Sequence, residues 1–138
     1  PLLIRKMKRI IALMIMVVVA GGCATKDEKA RTNIAQVWRI SKVLQNGSDV
    51  TTTYTDSRIS YRISFSSSGA FLERYYPFSG ADEISVSGTW FFSDGIRKVS
   101  LDDNNQARVY QIDLLEEDNF NITDLGSTNS RQIEFVPE

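Results

Sequence analysis

Beyond residue 34 the apolar positions of this chain fall into short runs of period two, separated by turn clusters. The densest run is Val86-Ser87-Gly88-Thr89-Trp90-Phe91-Phe92-Ser93-Asp94-Gly95, in which Val86, Gly88, Trp90 and Phe92 share one face. Gly88 beside Trp90 predicts close backbone approach or a sharp coil where a sheet bends. The clearest alternation sets Ile59, Tyr61, Ile63 and Phe65 against Ser60, Arg62, Ser64 and Ser66, the pattern of a half-buried antiparallel strand. Ser67-Ser68-Gly69 turns that strand into a return over residues 70–76, stopped at Pro77, which has no N–H to give a ladder.

Upstream, residues 34–44 place Trp38 and Ile40 on one side and Arg39 and Ser41 on the other, then shift parity at Val43, which predicts a bulge or bend. Asn46-Gly47-Ser48-Asp49 is a turn cluster, and the polar, β-prone residues 50–55 read as a crossover loop or an edge extension. Downstream, turns at Ser93-Asp94-Gly95, Asp102-Asp103-Asn104-Asn105 and Glu116-Glu117-Asp118-Asn119 separate three strands: residues 96–101, one alternating Tyr110, Ile112 and Leu114, and one marked by Phe120 and Ile122. After the loop Gly126-Ser127-Thr128-Asn129, Ile133 and Phe135 mark the last strand. About eight strands joined by short turns, without helical periodicity, predict an all-β sandwich or barrel; short sequential hairpins favour an antiparallel meander barrel. An interior of that size is nearly filled by side chains or holds one small ligand.

The first 33 residues have a different character. Basic residues around Met7-Lys8-Arg9 precede an 11-residue apolar run, Ile10 to Ala20, and the small pair Gly21-Gly22. This is the plan of a secretory signal and is too short to span a bilayer. Met7 is a candidate start. Cys23, the one Cys of the chain, follows directly, and Ala20-Gly21-Gly22-Cys23 resembles the lipobox of bacterial lipoproteins. That resemblance implies a signal peptide over residues 1–22, cleavage before Cys23, and acyl chains on Cys23 that anchor the protein to a membrane without crossing it. The competing reading is an ordinary cleaved signal followed by a buried Cys. Residues 23–33, polar and free of aromatics, read as a flexible tether, leaving residues 34–138 for the barrel domain. Lys26-Asp27-Glu28 also resembles the lysine-then-acids signal that some Gram-negative bacteria place after the lipidated Cys of surface lipoproteins; a plain solvated linker accounts for it equally. The expected location is the bacterial cell envelope, at the outer membrane, with the cell surface as the further option.

Charge sharpens this division. Sixteen Lys and Arg face seventeen Asp and Glu, but Arg5, Lys6, Lys8 and Arg9 precede every acid, so the chain from Cys23 onward holds twelve against seventeen, a net charge of −5. With no basic stripe, binding of nucleic acid by phosphate neutralisation is excluded as an expectation. No His is present, which removes the commonest general base and metal ligand. Asp102-Asp103-Asn104-Asn105 lacks the spaced ligands and closing Glu of a calcium loop. Glu73, Asp113 and Glu134 are too scattered to nominate a glycosidase pair, and no Ser sits in a nucleophile elbow. The chain is therefore expected to be a monomeric non-enzyme without metal or cofactor.

Trp38, the Ile63-Ser64-Phe65 to Gly69-Ala70-Phe71 hairpin, Gly88-Thr89-Trp90, and Tyr110-Gln111-Ile112-Asp113-Leu114 together resemble the lipocalin-like domain of many small bacterial lipoproteins, over roughly residues 34–136. Gln36 stands two before Trp38, where the transport lipocalins carry Gly, so the likeness is to the lipocalin-like group. It implies an eight-stranded antiparallel barrel. The large residues expected to face inward are Trp38, Tyr61, Phe65 and Phe71, with Trp90, Phe92, Tyr110 and Phe120 on the later strands. They line a pocket for a small hydrophobic ligand in one reading and simply fill the core in the other. Tyr75, Tyr76 and Phe78 read as a rim at the barrel mouth or as a stacking platform. Two functions follow. One is a membrane-anchored binder of a small hydrophobic molecule; the other is an interaction module with a packed barrel that holds an envelope protein or glycan through its rim.

Overall fold

The computed structural model describes residues 25–138; Cys23 and the expected signal peptide lie outside the described residues. A helix, α1 (Lys26–Ile34), leads into strand β1 (Val37–Gln45). A short strand β2 (Ser48–Asp49) and a six-residue helix α2 (Thr51–Asp56) follow. Then come β3 (Ile59–Phe65), β4 (Ala70–Tyr76), β5 (Ile84–Ser93), β6 (Lys98–Asp102), β7 (Ala107–Leu115), β8 (Phe120–Asp124) and β9 (Arg131–Pro137). From β3 to β9 each strand pairs antiparallel with its successor, and β1 pairs with both β3 and β9. The result is a closed eight-stranded meander barrel with β2 appended to β1.

The local reasons are those the sequence offers. Asn46 and Gly47 both take positive φ (50° and 82°), the pair a two-residue hairpin demands, and Asp94 and Gly95 also take positive φ, within the longer turn between β5 and β6. In the β6–β7 turn Asp102 Oδ1 accepts from the Asn104 N–H and Asp103 Oδ1 from the Asn105 and Gln106 N–H groups. The predicted parity shift in β1 is a bulge: the register against β9 slips between Ile40 and Lys42, which brings Val43 to the interior, fully buried. Gly88 is also where backbone approaches closely. A Cβ there would overlap the Asp102 carbonyl oxygen and lie 2.8 Å from its carbon and 2.9 Å from Asp103 Cα.

Four segments depart from the sequence pattern. Residues 26–34, the first eight of them expected within a flexible tether, are helical from Lys26 on. Thr25 and Glu28 close a capping box, each side chain bonding the other's backbone N–H at 3.2 Å, and Ala30 and Ile34 are buried. Residue 34 therefore ends a helix, and β1 starts at Val37. Residues 51–56 are neither loop nor strand but α2, held because Asp49 Oδ1 accepts from both the N–H and the hydroxyl of Thr51 (2.9 and 2.6 Å). Ile96 belongs to the β5–β6 turn, and β6 begins at Lys98. Leu114 is exposed at 36%, because a second register shift between Ile112 and Leu114 passes the inward position to Leu115.

The two ends of the barrel differ. At one end α1 lies across the strands: the Ile34 carbonyl accepts from Trp38 Nε1 at 3.0 Å, Arg31 stands 5.2 Å from the Trp90 ring centre, and Gln36 donates to the Glu117 carbonyl in the β7–β8 turn at 2.7 Å. The other end carries α2 and the β4–β5, β6–β7 and β8–β9 loops. Substituting Gly88 by Ala forces β5 away from Asp102 and is expected to destabilise the fold by about 3 kcal/mol. Chemical denaturation followed by Trp fluorescence checks this, and an unchanged midpoint would refute the close approach.

Candidate functional site

The interior divides into a packed half and an open half. Trp38, 0% exposed, lies 5.5 Å from Phe120, which lies 6.0 Å from Phe65; Phe65 in turn lies 5.7 Å from Trp90, itself 5.1 Å from Phe92. Both indole N–H groups are taken by backbone carbonyls, Trp38 on Ile34 and Trp90 on Ser66 (2.9 Å). These rings close the α1 end.

Toward the other end a cavity of about 290 Å³ opens. Its deep wall is apolar: Ile63, Phe65, Val99, Leu101, Phe120, Ile122, Ile133 and Phe135. Of the aromatics expected to line a pocket, Tyr61, Phe65, Tyr110 and Phe120 do so, while Trp38, Phe71, Trp90 and Phe92 are not on its wall. Tyr61, Phe65 and Phe120 belong to the buried core as well as to the cavity wall. Tyr75 reaches the cavity, whereas Tyr76 and Phe78 point away from it and are exposed, Phe78 by 64%.

The upper wall carries a polar cluster that sequence reading did not assemble. Glu73, 8% exposed, accepts from Arg108 through both oxygens, Nη2 to Oε1 at 2.7 Å and Nη1 to Oε2 at 3.3 Å, and from the Tyr61 hydroxyl. Arg108 Nη1 also bonds the Tyr110 hydroxyl at 3.2 Å. Such a fork is the strong form of the carboxylate–guanidinium pair. Burial, with the Glu73 charge beside it, pushes the Tyr61 phenol well above its ordinary range. Burial likewise pushes Tyr110 up to about 12, against the opposing pull of Arg108. Both phenols are therefore neutral at physiological pH, Tyr61 donating to Glu73 and Tyr110 accepting from Arg108. Burial works against the Arg108 charge, but the bond to Glu73 and its carboxylate charge outweigh it and hold the guanidinium protonated.

A parity signal for this cluster existed. Glu73 is in phase with Phe71 and Tyr75, and Arg108 with Tyr110 and Ile112, so each strand set one charge of opposite sign among its inward residues. At the mouth, Tyr54 and Arg58 from α2 and its exit, with Asp103, Gln106, Asp124 and Arg131 from the loops and strand ends, complete the lining. Arg58 lies 4.0 Å and Arg131 5.2 Å from the centre of the Tyr54 ring. Burial raises the Tyr54 pKa, and both arginines oppose that shift.

No known protein family matches the sequence, and no curated protein is similar to it. Solved structures do match the fold. A lipocalin-like protein from Bacteroides uniformis ATCC 8492 aligns over 77% of this chain and 99% of its own, with a TM-score of 0.56 and 10% identity. An uncharacterized protein from Bacteroides eggerthii DSM 20697 aligns over 76% and 99%, with a TM-score of 0.53 and 12% identity. The barrel is thus lipocalin-like in fold.

Removing one member of the buried pair strands the other. Glu73→Gln is expected to cost about 2 kcal/mol, less than the ~3 to 5 kcal/mol of a fully buried pair, because Arg108 keeps a quarter of its side chain in contact with solvent. The double variant Glu73→Leu with Arg108→Met is expected to recover most of that loss. Guanidinium unfolding of the three proteins checks the cycle; a single variant as stable as the parent would sink it.

Proposed function

We propose that this chain is a monomeric, non-catalytic binder of a small, largely hydrophobic molecule, held at the bacterial outer membrane by acyl chains on Cys23. The observation that carries the binding reading is the cavity of about 290 Å³, apolar in its depth and ringed by hydrogen-bonding groups at its mouth. It lies at the lower edge of the ~300 to 1,000 Å³ typical of small-molecule sites. Packing alone does not call for such a space, since interiors are filled to crystal density wherever side chains reach. A Glu73–Arg108 pair beside a cavity is poor value as a stabiliser and better suited to orienting a ligand's polar end. The anchoring reading rests on the lipobox resemblance at Ala20-Gly21-Gly22-Cys23.

The second reading, an interaction module for an envelope protein or glycan, draws on the packed lower barrel and on Phe78, which stands exposed near the mouth beside Tyr76.

One experiment addresses both parts. The chain and its Cys23→Ser variant are expressed in a Gram-negative host and fractionated, and the released variant is taken to native mass spectrometry. The parent is expected in the outer-membrane fraction and the variant in the periplasm, with a co-purifying small-molecule mass on the barrel. A variant that stays with the membrane after export overturns the anchor, and repeated absence of any bound mass counts against the binder.

A further inference from the structure

Resting on the binding reading, we propose that the cavity selects an amphiphile with an anionic head, a carboxylate on a short apolar tail, and that Arg58 and Arg131 receive that head.

The argument starts from how the charges around the cavity are used. Three arginines and three acids line it, so the lining is neutral in sum, and selectivity turns on which charges are already satisfied. Glu73 is spent on Arg108 and Tyr61. Asp103 Oδ1 accepts from two N–H groups of its own turn, and Asp124 Oδ1 accepts from the Gly126 N–H at 2.9 Å. Asp124 stands opposite Arg131 in the β8–β9 ladder, yet the two form no ion pair. Among the described residues Arg58 and Arg131 have no acidic partner within 4.0 Å. Arg58 bonds only the Tyr54 carbonyl and the Ser57 hydroxyl, and Arg131 Nε is buried without a hydrogen-bond partner.

Two guanidinium groups are thus gathered on one tyrosine ring, and no carboxylate oxygen lies within 4.0 Å of either, although Asp124 lines the same mouth. Cation–π contact with Tyr54 offsets part of their desolvation but not their mutual repulsion. An anion seated between them relieves both, and a planar carboxylate matches the guanidinium fork. The tail follows from the rest of the wall. Below the two arginines the lining turns apolar at Ile122, Ile133 and Phe135. At ~30 Å³ per water-sized volume, the cavity of about 290 Å³ holds roughly ten heavy atoms, the carbon chain of decanoate with its carboxylate oxygens left at the mouth.

The test measures binding of decanoate, decanol and decylamine by titration calorimetry at about pH 8, where the carboxylate and the amine are both charged. It uses the full chain carrying Cys23→Ser, so that no attached acyl chain competes. Decanoate is expected to bind about tenfold or more tightly than decanol, the scale of a charge-assisted bond, and decylamine more weakly than either. Arg58→Gln and Arg131→Gln are each expected to narrow the ratio of decanoate to decanol affinity severalfold. Decanol or decylamine binding as well as decanoate, or decanoate indifferent to both variants, overturns the inference and leaves the binding reading standing. If none of the three binds, both fail. The three-ligand comparison on the parent mouth does not depend on either variant folding.

Discussion

Everything described here depends on the ladder between β1 and β9, where the two ends of the barrel chain meet. Trp38 to Gln45 pair with Pro137 to Arg131, and only this contact turns an open meander, with two unpaired edges, into a closed wall. Closure fixes the interior that α1 covers at one end and that opens at the other. It also explains why the bulge in β1 matters. Without the slip between Ile40 and Lys42, Val43 would face outward, and the upper half of the strand would bring polar side chains to the interior.

Closure supplies the space, and the side chains divide it. At the α1 end, large rings meet edge to face or tilted, and their polar atoms are consumed by backbone. In the upper half the inward positions go to Tyr61, Glu73, Arg108 and Arg131; the polar ends of the first three bond one another along the wall, and Arg131 lies at the mouth. The difference between a packed core and a cavity is therefore one of residue type on the same strands, alternating along each with the same period.

Much of the architecture was legible because period two survives in a single sequence. The strand from Ile59 to Phe65, the turn at Gly69, the stop at Pro77 and the close approach at Gly88 all follow from local chemistry and all stand in the structure. What escaped notice has physical causes. Helix α1 buries only Ala30 and Ile34, so it shows no amphipathic stripe, though the Thr25 to Glu28 capping spacing marked its start. Helix α2 is built from threonines, poor helix formers that Asp49 and tertiary contact override. Leu114 alternates correctly in sequence and is displaced by a bulge that nothing local announces. The Glu73–Arg108 pair was visible strand by strand, but pairing across the barrel is a fact of closure, and three strands apart in the chain order no pattern connects them.

Helix α2 has a further significance. Near the mouth β1 and β3 no longer pair: their ladder ends at Trp38 and Ile63, and above it β1 turns to β2 instead. The short helix fills that seam, tied to β1 by Thr51 and carrying Tyr54 toward the cavity, with Arg58 just beyond its end. The wall is thus sealed there by a graft rather than by a ladder. Residues 50–58 take part in no strand ladder, so a change of length or composition beyond the Thr51 tie leaves the pairings that close the barrel in place.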